Sequence, residues 1–285
     1  MEGLKFWRPR SVEEAVELMF REKSVPLAGG TDLVIEIKKR YCSAENVVDL
    51  TAITELARVE RSEQNLEIGA LVTFSSLASS TAIKEFCPVL AEAALSVGSP
   101  QIRNRGTVGG NIMSGSPAAD IVPPLVALDA YAVLVSSEGE RKLKLTELLG
   151  SPGKPVLKRG EFLKKVCFPF PKKGCRWAFA KLGRRNALAI SRISMALMAD
   201  MTETGEITAA SLALGAVAPH PVRVPVVEKL LAGMSEASDF ETVAALLGTV
   251  VGELLGQRPS VVYKKEAIKG VAWEAWNKMW QIRVS

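Results

Sequence analysis

At 285 residues the chain is too long for one minimal domain and has room for two or three subdomains. Its 48% hydrophobic and 24% charged content is that of a folded protein, which excludes wholesale disorder. The 36 basic residues barely outnumber the 31 acidic ones, and the short clusters Lys38-Lys39-Arg40, Lys172-Lys173 and Arg184-Arg185 lack the length and interleaved aromatics of a nucleic-acid surface. The cysteines, Cys42, Cys87, Cys167 and Cys175, form no C-x-x-C, and His220 is the single histidine, so this chain alone is not expected to hold a zinc ion or an iron–sulfur cluster. No apolar signal region is visible at the start, and the longest apolar stretch, 121–135, is broken by Pro123, Pro124 and Asp129. Free thiols in a reducing cytoplasm, with no membrane span, are the expectation.

In chain order, Ser11 with Glu14 three residues on reads as a capping box ahead of a helix bearing Ala15, Leu18 and Met19. Residues 25–28 read as a strand that runs into Gly29-Gly30-Thr31-Asp32. A helix with Leu33, Ile35 and Ile37 follows, then a strand over 46–50. Residues 66–70 alternate as a half-buried strand should, and Thr73 or Ser75 caps a short helix. Residues 82–97 have helical spacing, 98–116 form a glycine-rich loop, and 120–128 form a helix. Residues 131–136 and 141–145 form a hairpin about Gly139, and residues 150–153 form a turn.

The texture changes after the Pro169 to Gly174 segment, a domain boundary by composition. Beyond it, residues 177–181, 191–201 and 207–217 read as three strands of one antiparallel sheet with a turn at Gly205. Residues 226–233 and 240–255 read as helices. Trp273, Trp276 and Trp280 share one side of a final helix, a pattern for core packing or a subunit contact.

Two glycine loops carry the chemistry. In Leu27-Ala28-Gly29-Gly30-Thr31-Asp32-Leu33 a strand enters a helix through a Gly-Gly turn. Such a turn points several N–H groups at one spot and lets the backbone approach an anion; it is also simply a common turn. In Gly106-Thr107-Val108-Gly109-Gly110-Asn111, then Ser114-Gly115-Ser116-Pro117-Ala118-Ala119-Asp120, a second Gly-Gly is surrounded by side-chain donors and acceptors. Asp120 either holds sugar hydroxyls or caps the helix that follows. No G-x-G-x-x-G and no Walker A sequence accompanies them, which points to a long dinucleotide clamped between two subdomains.

These loops, with Gln101-Ile102-Arg103-Asn104 ahead of the second, Lys181-Leu182-Gly183-Arg184-Arg185, and Gly215-Ala216-Val217-Ala218-Pro219-His220-Pro221, resemble the medium, FAD-binding subunits of molybdenum hydroxylases such as xanthine and carbon monoxide dehydrogenases. The resemblance implies an α+β, two-subdomain FAD-binding fold of the vanillyl-alcohol-oxidase (PCMH) type over 1–55 and 56–172. A C-terminal domain over 173–285 would follow, with a three-stranded antiparallel sheet and helices. It implies non-covalent FAD held by Leu27, Ala28, Gly29, Gly30, Thr31, Asp32, Leu33, Thr107, Gly109, Gly110, Asn111, Ser114, Asp120, Val166 and Lys181. Among these, the first loop would take the diphosphate, Asp120 the sugar hydroxyls, and Lys181 the flavin; as a bare sequence feature, the less favoured reading of Lys181 is a surface lysine at a strand end. Val97 stands where some members carry an aromatic over the flavin face. The resemblance further implies an oxidoreductase subunit working in a heterotrimer. A large molybdopterin subunit and a small [2Fe–2S] subunit would deliver electrons, and NAD, a quinone or oxygen would accept them. A self-sufficient FAD oxidoreductase of the same fold, and an assembly protein that has lost FAD, are the alternatives.

Overall fold

The computed structural model describes residues 3–152, 154–183 and 189–281; the Arg184-Arg185 cluster and Gly153 lie outside them. Three sheets organise the chain. The first is parallel, in the order β1-β3-β2, with β1 (Lys5–Trp7), β2 (Ser24–Leu27) and β3 (Asn46–Asp49). Parallel neighbours need crossovers, supplied by α1 (Val12–Met19) and α2 (Leu33–Lys38). Ser11 caps α1 by accepting from the Glu14 N–H, while the Glu14 carboxylate accepts from Arg10 N, one residue outside a strict capping box. Val12, Ala15 and Met19 bury one face of α1, whereas α2 buries no residue.

The second sheet is antiparallel, in the order β4-β5-β8-β6-β7, from β4 (Val59–Arg61), β5 (Asn65–Gly69), β6 (Tyr131–Ser136), β7 (Gly139–Lys144) and β8 (Phe162–Pro169). Central β8 escapes the sequence reading for a physical reason. Its pairing with β6 shifts register between Val133 and Leu134, and the bulge puts consecutive Lys164 and Lys165 where alternation demands one polar residue. Arg141 reaches from β7 to the buried Glu161 with two bonds of 2.8 and 2.7 Å, and Lys158 N donates to the same carboxylate at 2.6 Å. These bonds pin the segment leading into β8.

Between β5 and β6 run α3 (Phe74–Ser79), α4 (Thr81–Phe86), α5 (Pro88–Ser96), α6 (Pro100–Arg105), α7 (Val108–Met113) and α8 (Val122–Ala127); α9 (Leu145–Leu148) follows β7. Thr73, not Ser75, caps α3. Two expectations change here. The single helix over 82–97 is two, broken where Pro88 can donate no N–H and starts a new helix. The 98–116 segment is not an open loop. Ser99 and Thr107 each accept an N–H three residues on, from Ile102 and Gly110, and so start α6 and α7.

The third sheet contains β9 (Arg176–Gly183), β10 (Ser191–Met201) and β11 (Ile207–Gly215), with the expected turn at Gly205. A two-residue edge strand, β12 (Val222–Arg223), makes it four-stranded rather than three. Along β10, Ile193, Met195, Leu197 and Ala199 pack with α11 (Glu241–Leu255) and α12 (Val261–Gln281), while Ala196 and Met198 join the core that contains α5 and α8. Both faces of this sheet are therefore buried, and the second face ties it to the helices around the second glycine loop. Short α10 (Pro225–Leu231) packs on β11. On the tryptophan side of α12 Trp276 is core, Trp280 is half-buried and Trp273 is exposed: Phe240 stacks on Trp276 at 4.5 Å and meets Trp273 edge-on at 5.2 Å. Among the described residues no helix is long and apolar enough to cross a membrane.

Burial pushes the Glu161 carboxyl up, but its bonds to Arg141 and Lys158 outweigh that and hold it below the usual range. A depressed carboxyl stabilises the fold above its unfolded pKa, and that contribution is lost as pH falls through the folded value. Glu161→Gln is expected to lower the unfolding free energy by about 2 kcal/mol at neutral pH. In denaturant titrations the gap to the parent should narrow below about pH 4.

Candidate functional site

The two glycine loops, separated by more than seventy residues, meet. Gly29 lies so close to the Arg105–Gly106 backbone that a Cβ at position 29 would overlap the Arg105 carbonyl. Gly30 adopts φ +75°, a left-handed conformation that favours glycine. Among the described residues, the N–H groups of Gly29, Gly30, Thr31 and Asp32 donate to no acceptor in the chain, and Asp32 makes no capping bond. Leu27, Ala28, Thr31 and Leu33 are half-buried, Asp32 is exposed, and the apolar Val34 and Ile35 of α2 are 40% and 50% exposed. An edge strand, a run of unpaired donors and an uncovered helix thus lie together.

The second loop divides its glycines between two tasks. Gly109 is a packing residue: its N–H donates to Ala70 O at 2.8 Å, and a Cβ would fall 2.6 Å from Ala70 Cβ. Gly110 is different, because a Cβ there would meet only Thr107 Oγ1, at 3.0 Å. The chain's own packing therefore gives little reason for glycine at 110. Buried Thr107 accepts the Gly110 N–H at 3.0 Å. Asn111 Oδ1 accepts from Ile121 N at 3.3 Å, and its amide donates to no acceptor among the described residues. Ser114 turns inward: its hydroxyl donates to Asn111 O at 2.7 Å and accepts from Ser116 N at 3.3 Å. Arg103 holds α6 to the preceding turn through Val97 O and Gly98 O, at 3.1 and 2.9 Å. Val166 is fully buried within β8, in the core cluster that also holds Val108 and Ile112 of α7.

Asp120 and Lys181 come together rather than standing apart. The Lys181 ammonium donates to Asp120 Oδ2 at 2.5 Å and to Ser96 O at 2.9 Å, and Ser191 Oγ donates to Asp120 Oδ1. Asp120 and Ser191 are each 6% exposed. Asp120 does not cap α8, whose N-cap is Ile121, and Lys181 is not a surface lysine. Burial pushes the Asp120 carboxyl up; Lys181 and Ser191 pull against it. Ser96 and Ser191 are invisible to sequence reasoning, since nothing local distinguishes them from other serines. Among the described residues, His220 bonds only with the adjoining Pro221 carbonyl, at 3.1 Å.

This geometry suits a dinucleotide. Unpaired N–H groups and a glycine at Gly30 can face a diphosphate. Comparison with known proteins agrees. The FAD binding domain of molybdopterin dehydrogenases matches residues 2–171, and the CO dehydrogenase flavoprotein C-terminal domain matches residues 177–279. The chain is 36% identical to the nicotinate dehydrogenase FAD-subunit of Eubacterium barkeri over 278 residues, 95% of this chain and 94% of that one. It is 30% identical to the carbon monoxide dehydrogenase medium chain of Afipia carboxidovorans over 233 residues, 80% and 79% of the two chains. A solved Cu,Mo-CO dehydrogenase superposes with a TM-score of 0.89 at 27% identity, covering 97% of both chains.

The class defined by fold and site is the FAD-binding oxidoreductase subunit with a PCMH-type domain followed by a C-terminal sheet domain. The chain belongs to the family of FAD-binding medium subunits of molybdenum hydroxylases.

Two substitutions separate fold from cofactor at this site. Gly110→Val is expected to leave the melting temperature within a few degrees of the parent and abolish FAD retention; normal FAD absorbance in the purified variant would count against the second loop. Gly29→Ala should both lower the melting temperature and reduce FAD content, because the two loops must separate to admit a methyl group.

Proposed function

We propose that this chain is the electron-transferring flavoprotein of a molybdenum hydroxylase complex. It would receive electrons from [2Fe–2S] clusters of a small partner subunit, fed by a large molybdopterin subunit, and pass them to an external acceptor such as NAD or a quinone. The carrying observation is the meeting of the two glycine loops at Gly29 and Arg105–Gly106, with unpaired donors on the first loop and an open glycine on the second. Bound FAD supplies the redox chemistry, because it takes up an electron pair and can release it one or two electrons at a time. The chain supplies binding, orientation and charge.

In this reading the chain divides at 1–55, 56–172 and 173–285, and works in the cytoplasm as one member of a heterotrimer. Leu27 and Ala28 deliver the backbone to the diphosphate, and the N–H groups of Gly29 to Asp32 hold it, with Thr31 adding a hydroxyl and Leu33 an apolar edge. Thr107 fixes the start of α7, so that Gly110 and the Asn111 amide can meet the flavin end. Gly109, Ser114 and Val166 act through shape, since their polar groups or side chains are engaged within the chain. Lys181 supplies a cation that favours the extra negative charge of a reduced flavin. Among the described residues no group of three or more His, Cys, Asp or Glu side chains is placed to hold a metal ion.

The first test is the visible absorption spectrum of the purified chain, with the released cofactor identified by chromatography. A yellow protein releasing FAD and containing no iron supports the reading. A colourless chain that does not take up FAD even with its partner subunits present would refute it. Lys181→Ala should keep FAD bound while its reduction potential falls; an unchanged potential would place Lys181 away from the ring.

A further inference from the structure

The start of α12 gathers positive charge from three separate segments. Arg192 comes from β10, Arg258 from the turn between α11 and α12, and Lys264 from the first turn of α12. The Arg192 guanidinium lies over the Tyr263 ring, 5.2 Å from its centroid, which brings it to the residue beside Lys264. The turn carrying Arg258 is tied to the same helix, since Val261 N donates to Arg258 O at 2.9 Å. The Lys264 ammonium donates to Ala216 O. Among the described residues it has no carboxylate partner, and neither arginine side chain makes a hydrogen bond or an ion pair; the first turn of α12 holds no acidic residue. Farther along the helix cations are matched: Lys269 pairs with Glu266, and Lys278 with Glu92 and Glu274. Burial, with Arg258 and Arg192 nearby, pushes the Lys264 ammonium below the usual lysine range. Like charges held together without a counter-charge repel one another. Arg192 and Lys264 are half-buried and Arg258 is exposed, so a solute can reach all three.

We propose that Arg192, Arg258 and Lys264 form a binding site for a phosphate group, either inorganic phosphate or the phosphoryl end of a soluble nucleotide. Two guanidinium forks and an ammonium suit the double charge and the several acceptor oxygens of a phosphate. An ammonium carries three donors, so Lys264 keeps two after its bond to Ala216 O. The Tyr263 ring holds the Arg192 plane from one side, which limits the rotamer freedom that binding would otherwise have to remove. The lysine is anchored to the body of the chain as well. Ala216, left-handed at φ +62°, takes Lys264 through its carbonyl and gives its own N–H to Pro117 O at 2.7 Å. All three cations belong to the C-terminal domain, so the site needs neither glycine loop and does not depend on the FAD reading.

The test is isothermal titration calorimetry of the full chain in excess FAD, so that the diphosphate loop is not open to the probe. Inorganic phosphate and adenosine 5′-monophosphate are titrated separately, at fixed ionic strength. Saturable binding of one phosphate group per chain is expected. Arg192→Gln and Arg258→Gln should each weaken it by about tenfold or more, the loss expected when a hydrogen bond to a charged group is removed. Lys269→Gln, which removes a cation already paired on the same helix, should leave it unchanged and so controls for net charge. Tighter binding of the nucleotide than of inorganic phosphate would identify a phosphate ester as the ligand, and equal or weaker binding would identify free phosphate. No saturable heat with either probe at millimolar concentration would overturn the proposal. So would binding that both arginine variants leave intact, or that Lys269→Gln weakens as much as they do. Should Arg192→Gln not fold, Arg258→Gln decides, since Arg258 is exposed and supports no packing. If the chain takes up no FAD, the arginine variants still separate this site from the glycine loops, because only binding at the cluster responds to them.

Discussion

The close approach of Gly29 to the Arg105–Gly106 backbone is the constraint on which the site depends. Backbone can abut backbone this closely only where a side chain is missing, so one hydrogen atom in place of a methyl joins the small parallel sheet to the helical segment that carries the second loop. The rest of the first loop follows from that contact. β2 runs to the junction, Gly30 turns the chain with a left-handed φ, and α2 leaves along a surface it does not cover. The donors of residues 29–32 are left without partners among the described residues. Such groups are costly when shut away from any acceptor, and in the proposed function the diphosphate of FAD would provide the acceptors.

The C-terminal domain closes the other side. Its sheet buries both faces, one against α11 and α12 and the other against α5 and α8, so it cannot move away from the FAD-binding part without exposing apolar surface. Into that second face it sets a buried charge pair. Removing one partner of such a pair costs roughly 3–5 kcal/mol, although a well-packed apolar substitute for both is often no less stable. An ion pair between Asp120 and Lys181 is thus a poor choice if stability were its only purpose. A second set of polar bonds works alongside: Glu92 of α5 accepts the Phe179 N–H, while Lys278 of α12 donates to Glu92 and to Phe179 O. The two parts meet through directional bonds as well as apolar area, and directional bonds fix register where area alone does not.

Much of this was legible locally. Helix α1 and its Ser11 cap, the strand entering the first glycine loop, the hairpin of β6 and β7, the three long strands with a turn at Gly205, and the tryptophan face of α12 all follow from periodicity, capping and turn chemistry, which act over a few residues. The misses have two causes. β8 hides behind a bulge, the break before Pro88 lies inside an otherwise continuous helical pattern, and α6 and α7 are six-residue helices in a glycine-rich stretch that would not hold a helix alone. The bulge and the short helices depend on tertiary contact, whereas the break at Pro88 is local proline chemistry inside an apolar pattern that runs on through it.

The same division runs through the site. The sequence by itself determined the residue types: two Gly-Gly turns, a threonine placed to cap, an asparagine, an aspartate and a lysine, in an order specific enough to mark the family. Only the tertiary structure decided what each one does. Gly109 and Gly110 are neighbours of identical type, yet one is pressed against Ala70 and the other is open. Asp120, readable as a cap or a sugar ligand, faces Lys181 and Ser191 from sixty-one and seventy-one residues away. A glycine's lack of a side chain is written in the sequence; what occupies the space it leaves depends on which distant backbone or ligand the fold brings there.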